Sequence, residues 1–279
     1  MDRKALKAAA KESVAHARGN SKLVTGVFLV AVVLMGVLEW GLTVLVERAP
    51  ANGAHYLSQA VSTETRTYVL VTVVSLIFQF LLLLTALGYG AVSLRLGRDR
   101  DFSLDTLLEG FRMWSRGVLL YVYISLLVGL LASLVSLPVS YVLSGLLLAG
   151  YLSEGMVFNL LAVYTLLAMA VISYRYRMVY FLLLDQPETP VRVLASKAAA
   201  MNRPHRISLF LLDLSFAPWV LLCLLTCGIL FVWKLPYMAA TYAHAYAFME
   251  KDYEARQQRM EALLEAQKKR MEETGLFRR

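Results

Sequence analysis

Five ionisable side chains stand where apolar neighbours leave them little water. Glu39 interrupts the run around Trp40, Arg175 and Arg177 sit inside YRYRMVYFLLLD, Asp213 inside LFLLDLSF, and Lys234 inside VWKLPY. A charge in hydrocarbon is costly, so each must find a partner, line an aqueous space or reach the surface. Glu39 and Lys234 both fall in the outer half of their apolar segments, which predicts an ion pair locking the first helix to the last, with snorkelling to opposite interfaces as the alternative. Asp213 enters at a depth similar to Arg175 and Arg177. Two answers stay open for it, a clamp on those arginines or the polar group of a water-filled site. Arg175 and Arg177 read as anchors at the inner membrane boundary, their stems along the helix and their guanidinium groups reaching phosphates.

Other chemistry is sparse. The histidines, His16, His55, His205 and His244, are scattered, and His244, alone on an alanine-rich face, reads as a packed side chain. Cys223 and Cys227 lie one helical turn apart in an apolar segment and read as small filler, since two such residues make neither a disulfide framework nor a thiolate metal site. Phosphate loops, H-E-x-x-H and G-x-S-x-G elbows do not occur. No catalytic residue, cofactor or metal is predicted, and the chain is not expected to be an enzyme. Gln79 and Asn159 are expected to donate hydrogen bonds between helices.

These residues are carried by elements that composition makes membranous. Of 279 residues 58% are hydrophobic and 17% charged, and the mean hydropathy is +0.58, above the apolar share of about 45–50% usual for soluble domains. Segments of about twenty apolar residues span a bilayer as helices. Six are predicted, at 23–46, 68–94, 118–137, 156–174, 208–229 and 232–249, the last weakened by Lys234, Pro236 and His244. The first is too long for a signal-peptide core and is kept as a span. With the N-terminus inside, all but Arg48, Arg66 and Lys234 of the 28 lysines and arginines fall in inner segments, as the retention of positive charge on the cytoplasmic side requires. Residues 139–152 are too short to cross and read as an interfacial or re-entrant outer segment.

Two inner connections have helical periodicity of their own. SLDTLLEGFRMW places Leu104, Leu107, Leu108, Phe111 and Trp114 on one face behind Ser103 as cap, and TPVRVLASKAAAM places Val191, Leu194, Ala195, Ala198 and Met201 on another behind Thr189, with Pro190 at the first helical position. Both are expected to lie at the interface, where flanking arginines favour anionic headgroups. The tail from Glu250 mixes acids and bases with i, i+4 pairs such as Asp252 with Arg256, and reads as a solvated helix. Its broken apolar stripe, including Met260, Leu263 and Leu264, is suited to a protein partner. The net charge of +8 points to anionic lipid, and no nucleic-acid partner is expected.

The predicted fold class is therefore an all-α polytopic membrane bundle of six transmembrane helices and two cytoplasmic amphipathic interfacial helices. Residues 1–22 form a basic cytoplasmic segment, 23–249 the transmembrane domain and 250–279 a charged cytoplasmic tail.

From Tyr180 onward the chain resembles a known family. YFLLLDQPE, an amphipathic helix with Ser196 and Met201, LFLLDLSFAPW, TCGI and WKLPYMAATYAHAY, with Leu108, Gly110 and Phe111 earlier, are similar to the bacterial integral membrane proteins of domain of unknown function 975. The resemblance implies a multi-pass protein of the bacterial cytoplasmic membrane and no established activity. The expected role is a non-catalytic membrane scaffold or assembly factor. A carrier or exporter of a small amphiphile or peptide is the alternative, and a lipid-modifying enzyme comes third.

Overall fold

The computed structural model describes residues 2–17, 20–48, 63–226 and 228–273. Among them every regular element is helical: α1 (Arg3–His16), α2 (Asn20–Arg48), α3 (Thr63–Gly97), α4 (Leu104–Arg112), α5 (Trp114–Leu148), α6 (Glu154–Ser173), α7 (Val179–Asp185), α8 (Val191–Asn202), α9 (Arg206–Leu225) and α10 (Phe231–Glu273), with single 3-10 turns at Tyr174–Tyr176 and Arg203–His205. His55 and Cys227 lie outside the described residues.

Five segments are long and apolar enough to cross a membrane: Ser21–Val46, Thr67–Gly97, Trp114–Leu148, Glu154–Asp185 and Val191–Leu225. Their most apolar windows are between 0% and 22% buried inside the protein. Such apolar surface is a liability in water but is solvated by lipid tails, and the chain is a multi-pass membrane protein. The sixth predicted segment begins α10, whose Lys234, Pro236, His244 and three tyrosines keep it out of this apolar set.

The helix ends follow from local chemistry. Asp2 caps α1 by accepting from the Lys4 amide at 2.9 Å, and Ser153 caps α6 by accepting from the Met156 amide at 3.4 Å. Ser103 caps α4, its amide donating to Thr106 Oγ1 at 3.2 Å. After α5, Gly150 adopts φ +77°, and the Gly150 and Tyr151 amides reach back to the Leu147 and Leu146 carbonyls. This Schellman closure needs the left-handed residue that glycine supplies. The stretch 139–152 is therefore no separate interfacial or re-entrant element: α5 runs through Pro138 to Leu148, about 52 Å at 1.5 Å per residue, and turns directly into α6.

The buried core gathers at one end of the bundle. Leu84, Leu87 and Leu94 of α3, Leu182 and Leu183 of α7, Leu194 and Ala198 of α8, Leu209 and Phe216 of α9, and Tyr246 and Met249 of α10 form one cluster. There α3 and α10 run parallel, Gly97 beside Ala243 and Leu96 beside Ala240. Helix α1 lies on both, with Ala10 and Ser13 buried. The sequence had predicted a basic N-terminal segment without predicting this docked helix.

The two connecting helices depart from expectation in orientation. In α8, Leu194, Ala195, Ala198 and Met201 share a buried face as predicted, but they pack into the protein core, and the cap is Pro190 rather than Thr189. In α4 the buried residues are Thr106, Leu107 and Gly110, while Leu104, Leu108 and Phe111, with Trp114 at the start of α5, are exposed. Two glycines explain this. A Cβ on Gly110 would lie 2.0 Å from the Leu84 carbonyl oxygen, and one on Gly88 would lie 1.9 Å from that of Leu107, so the α4 and α3 main chains touch.

Candidate functional site

Asp213 lies two turns into α9, facing the junction of α6 with α7 and the first third of α10. Its Oδ2 accepts from the Tyr174 hydroxyl at 2.5 Å, and its Oδ1 from an Arg177 N–H at 2.8 Å and from the Tyr242 hydroxyl. The Arg177 guanidinium lies 5.3 Å from the Tyr174 ring centroid and 5.2 Å from that of Tyr242. Three donors from two other segments converge on one carboxylate, so this group ties α9 to the α6–α7 junction and to α10.

The clamp anticipated for Asp213 thus forms with Arg177 only. Arg175 stacks 5.8 Å over the Tyr176 ring, and its carbonyl accepts from Asn202 Nδ2 at 3.1 Å. Asn202 is fully buried and fastens the end of α8 to the end of α6. The ion pair predicted between Glu39 and Lys234 does not form: the Lys234 ammonium sits 3.7 Å over the Trp219 ring, and Glu39 has no ion pair among the described residues. The α9–α10 hairpin brings an aromatic face to the lysine sooner than α2 can bring a carboxylate. Gln79 and Asn159 are exposed rather than bonded between helices.

A second polar group lies beneath the first. Arg98, just past α3, grips Asp185 at the end of α7 through two bonds of 2.6 and 2.5 Å, and the Tyr246 hydroxyl approaches Asp185 at 2.8 Å and Glu250 at 3.2 Å. One hydroxyl carries one proton, so it cannot donate fully to both acids. Burial, with nearby Asp185, raises the Glu250 carboxyl above its usual range. Arg95 pairs with Glu109 and holds α4 from the side.

Three contacts join α1 and the later part of α10 to this layer. His205 and Arg256 each lie 3.0 Å from Asp252, and the hydrogen bond from His205 is foremost in holding that carboxyl below its usual range. His244, read as a packed residue, meets Ser13 of α1 at 3.1 Å. Lys7 sits 4.6 Å over the Phe216 ring, and burial, reinforced by Arg3, lowers its ammonium pKa. Cys223 is buried, as small filler should be.

Tyr174, Tyr242, Tyr246 and Arg98 were not singled out as polar partners by sequence. A signal existed: Tyr242 and Tyr246 in TYAHAY are four residues apart, on one helix face. The stretch reads first as alanine-rich, and only contacts from distant segments give the hydroxyls their acids.

The family model described as protein of unknown function (DUF975) matches residues 1–252, and the chain belongs to that family. The match takes in both polar groups and stops where the exposed part of α10 begins. Neither curated proteins nor solved structures provide a match to the chain.

Proposed function

We propose that the chain is a non-catalytic scaffold of the bacterial cytoplasmic membrane, six times spanning, with both ends inside and the far half of α10 as its docking element. The observation that carries this is the continuity of α10. One 43-residue helix begins in the bundle, places Tyr246 and Met249 fully inside the core, and continues to Glu273 with Met260, Leu263 and Leu264 exposed. A helix held so firmly at one end presents the other with little conformational freedom left to lose on binding.

Several features support the arrangement. Helix α1 lies against α10, so both ends share a face. The first part of α10 runs parallel to α3 and exposes Trp233, consistent with a sixth crossing. The arginines of the packed layer and the basic residues of α1 would sit among anionic headgroups, and the outward apolar face of α4 would meet the interface. Asp213 bonded to three elements supports holding rather than carrying. The carrier reading is favoured by one observation, an open cleft beside Arg177.

Native mass spectrometry of the gently extracted protein separates the two. The scaffold loses a discrete protein partner when the chain ends at Met249 and keeps it when Glu39 and Asp213 are both neutralised. A partner complex indifferent to truncation, or dependent on those acids in a folded protein, would refute the scaffold.

A further inference from the structure

The cleft between α3 and α10 has a shape and polarity that scaffolding does not require. Ala86, Gly90 and Ser93 line it from α3, and Leu235, Ala239 and Tyr242 from α10. Each set follows the i, i+4, i+7 spacing of one helix face. The small residues on these faces leave a space of about 360 Å³ where two parallel helices would otherwise close. Seven residues at 1.5 Å each make the groove about 10 Å long. Its outer end, at Ala86 and Leu235, is apolar. Its inner end meets Arg177, at the point where the charge pattern places the membrane boundary.

Arg177 gives Asp213 one of its N–H groups and lies against the hydroxyl and ring of Tyr242 as well. Its side chain is 37% exposed. A planar guanidinium carries five N–H donors, more than these two neighbours take up, and where it is partly exposed it suits a phosphate; an apolar groove ending at it suits a hydrocarbon chain with an acidic head. The direction matches a lipid of the inner leaflet, its tail toward the bilayer centre and its phosphate at the boundary.

We propose that this cleft binds one acidic phospholipid, an acyl chain lying between α3 and α10 and the phosphate on the Arg177 guanidinium. The interaction is independent of the tail and of any protein partner.

The test is native mass spectrometry of the full chain released from bilayers containing equal phosphatidylglycerol and phosphatidylcholine. One retained lipid per chain is expected, with phosphatidylglycerol favoured about fivefold, as one arginine at a headgroup implies. Ala86 is exposed, so A86W fills the groove without entering the core and should abolish retention. The double variant R177Q/D213N, which removes both charges together, should keep a lipid but lose the preference. A photoactivatable acyl chain on phosphatidylglycerol should label Met238 or Leu235 in the unmodified protein, which guards against an A86W chain that fails to fold. Equal retention by A86W, a preference unchanged in R177Q/D213N, or labelling that avoids both residues would each overturn the proposal. Retention unchanged in a chain ending at Met249 is expected whether or not the tail recruits a partner.

Discussion

Gly110→Ala tests the packing logic at the point where two main chains touch. The added Cβ would lie 2.0 Å from the Leu84 carbonyl oxygen and 2.6 Å from the Gly88 nitrogen. Contact between carbon and its neighbours is comfortable near 3.5 Å, so α4 must withdraw by roughly 1.5 Å. Overpacking costs about 1–3 kcal/mol where side chains can yield. Here the obstacle is backbone, so the upper figure of about 3 kcal/mol applies. Alanine's better helix propensity offsets about 1 kcal/mol, leaving a net loss of about 2 kcal/mol, up to roughly 30-fold in the folded-to-unfolded ratio. Reversible unfolding in mixed micelles, followed by tryptophan fluorescence, measures it. Gly129→Ala, at a position with open space around the new carbon, is the control and should be neutral or up to about 1 kcal/mol more stable. If G110A proved as stable as G129A, the close approach of α4 to α3 would not exist as described.

Further outcomes follow from the polar groups. D213N should destabilise by about 2 kcal/mol, and adding R177Q should cost much less than the sum, because the second change removes a cation already left without its anion; a double-mutant cycle by micellar unfolding checks this. E39Q and K234M should combine additively to within about 0.5 kcal/mol, since the structure leaves them unpaired with each other; a coupling well above that would restore their ion pair. The raised Glu250 carboxyl means that the folded state holds this proton more tightly than the unfolded chain. Its contribution therefore grows as pH falls through the raised value and is absent above it, and E250Q should be at least as stable as the parent at neutral pH with a flatter profile. Asp252 works in the opposite sense: its depressed carboxyl stabilises above the ordinary aspartate range of about 3.9 and stops doing so as pH falls through its folded value. D252N should lose stability at neutral pH, measured by the same unfolding.

How much of this was legible depends on the range of the interaction. The long apolar segments and the i, i+4 pair of Asp252 with Arg256 are local, and sequence periodicity carries them. Buried Leu194, Ala198 and Met201 were likewise on the predicted face of α8. What covers a face is not local. The α4 periodicity identifies an apolar stripe without saying that two glycines would let its other side press on α3. Glu39 and Lys234 illustrate the same limit, because depth along a span does not fix rotation about its axis. The extent of α5 has another reason: Pro138 and Gly145 look like breakers in sequence, yet the chain carries both within one helix and stops only at Gly150. For Asp213, depth alone left both arginines as partners, and the turn at Tyr174–Tyr176 decides for Arg177.

Everything proposed for this protein rests on the ends of the chain and the packed layer occupying one side of the membrane. Single cysteines introduced by E12C on α1, E261C on α10 and Y151C at the α5–α6 turn, all exposed positions, can be labelled in intact and in permeabilised cells with a membrane-impermeant thiol reagent, in a chain lacking Cys223 and Cys227. The account predicts that Y151C labels in intact cells, while E12C and E261C label only after permeabilisation. Labelling of E261C alongside Y151C in intact cells would place the tail outside and contradict both the sixth crossing and the scaffold built on it.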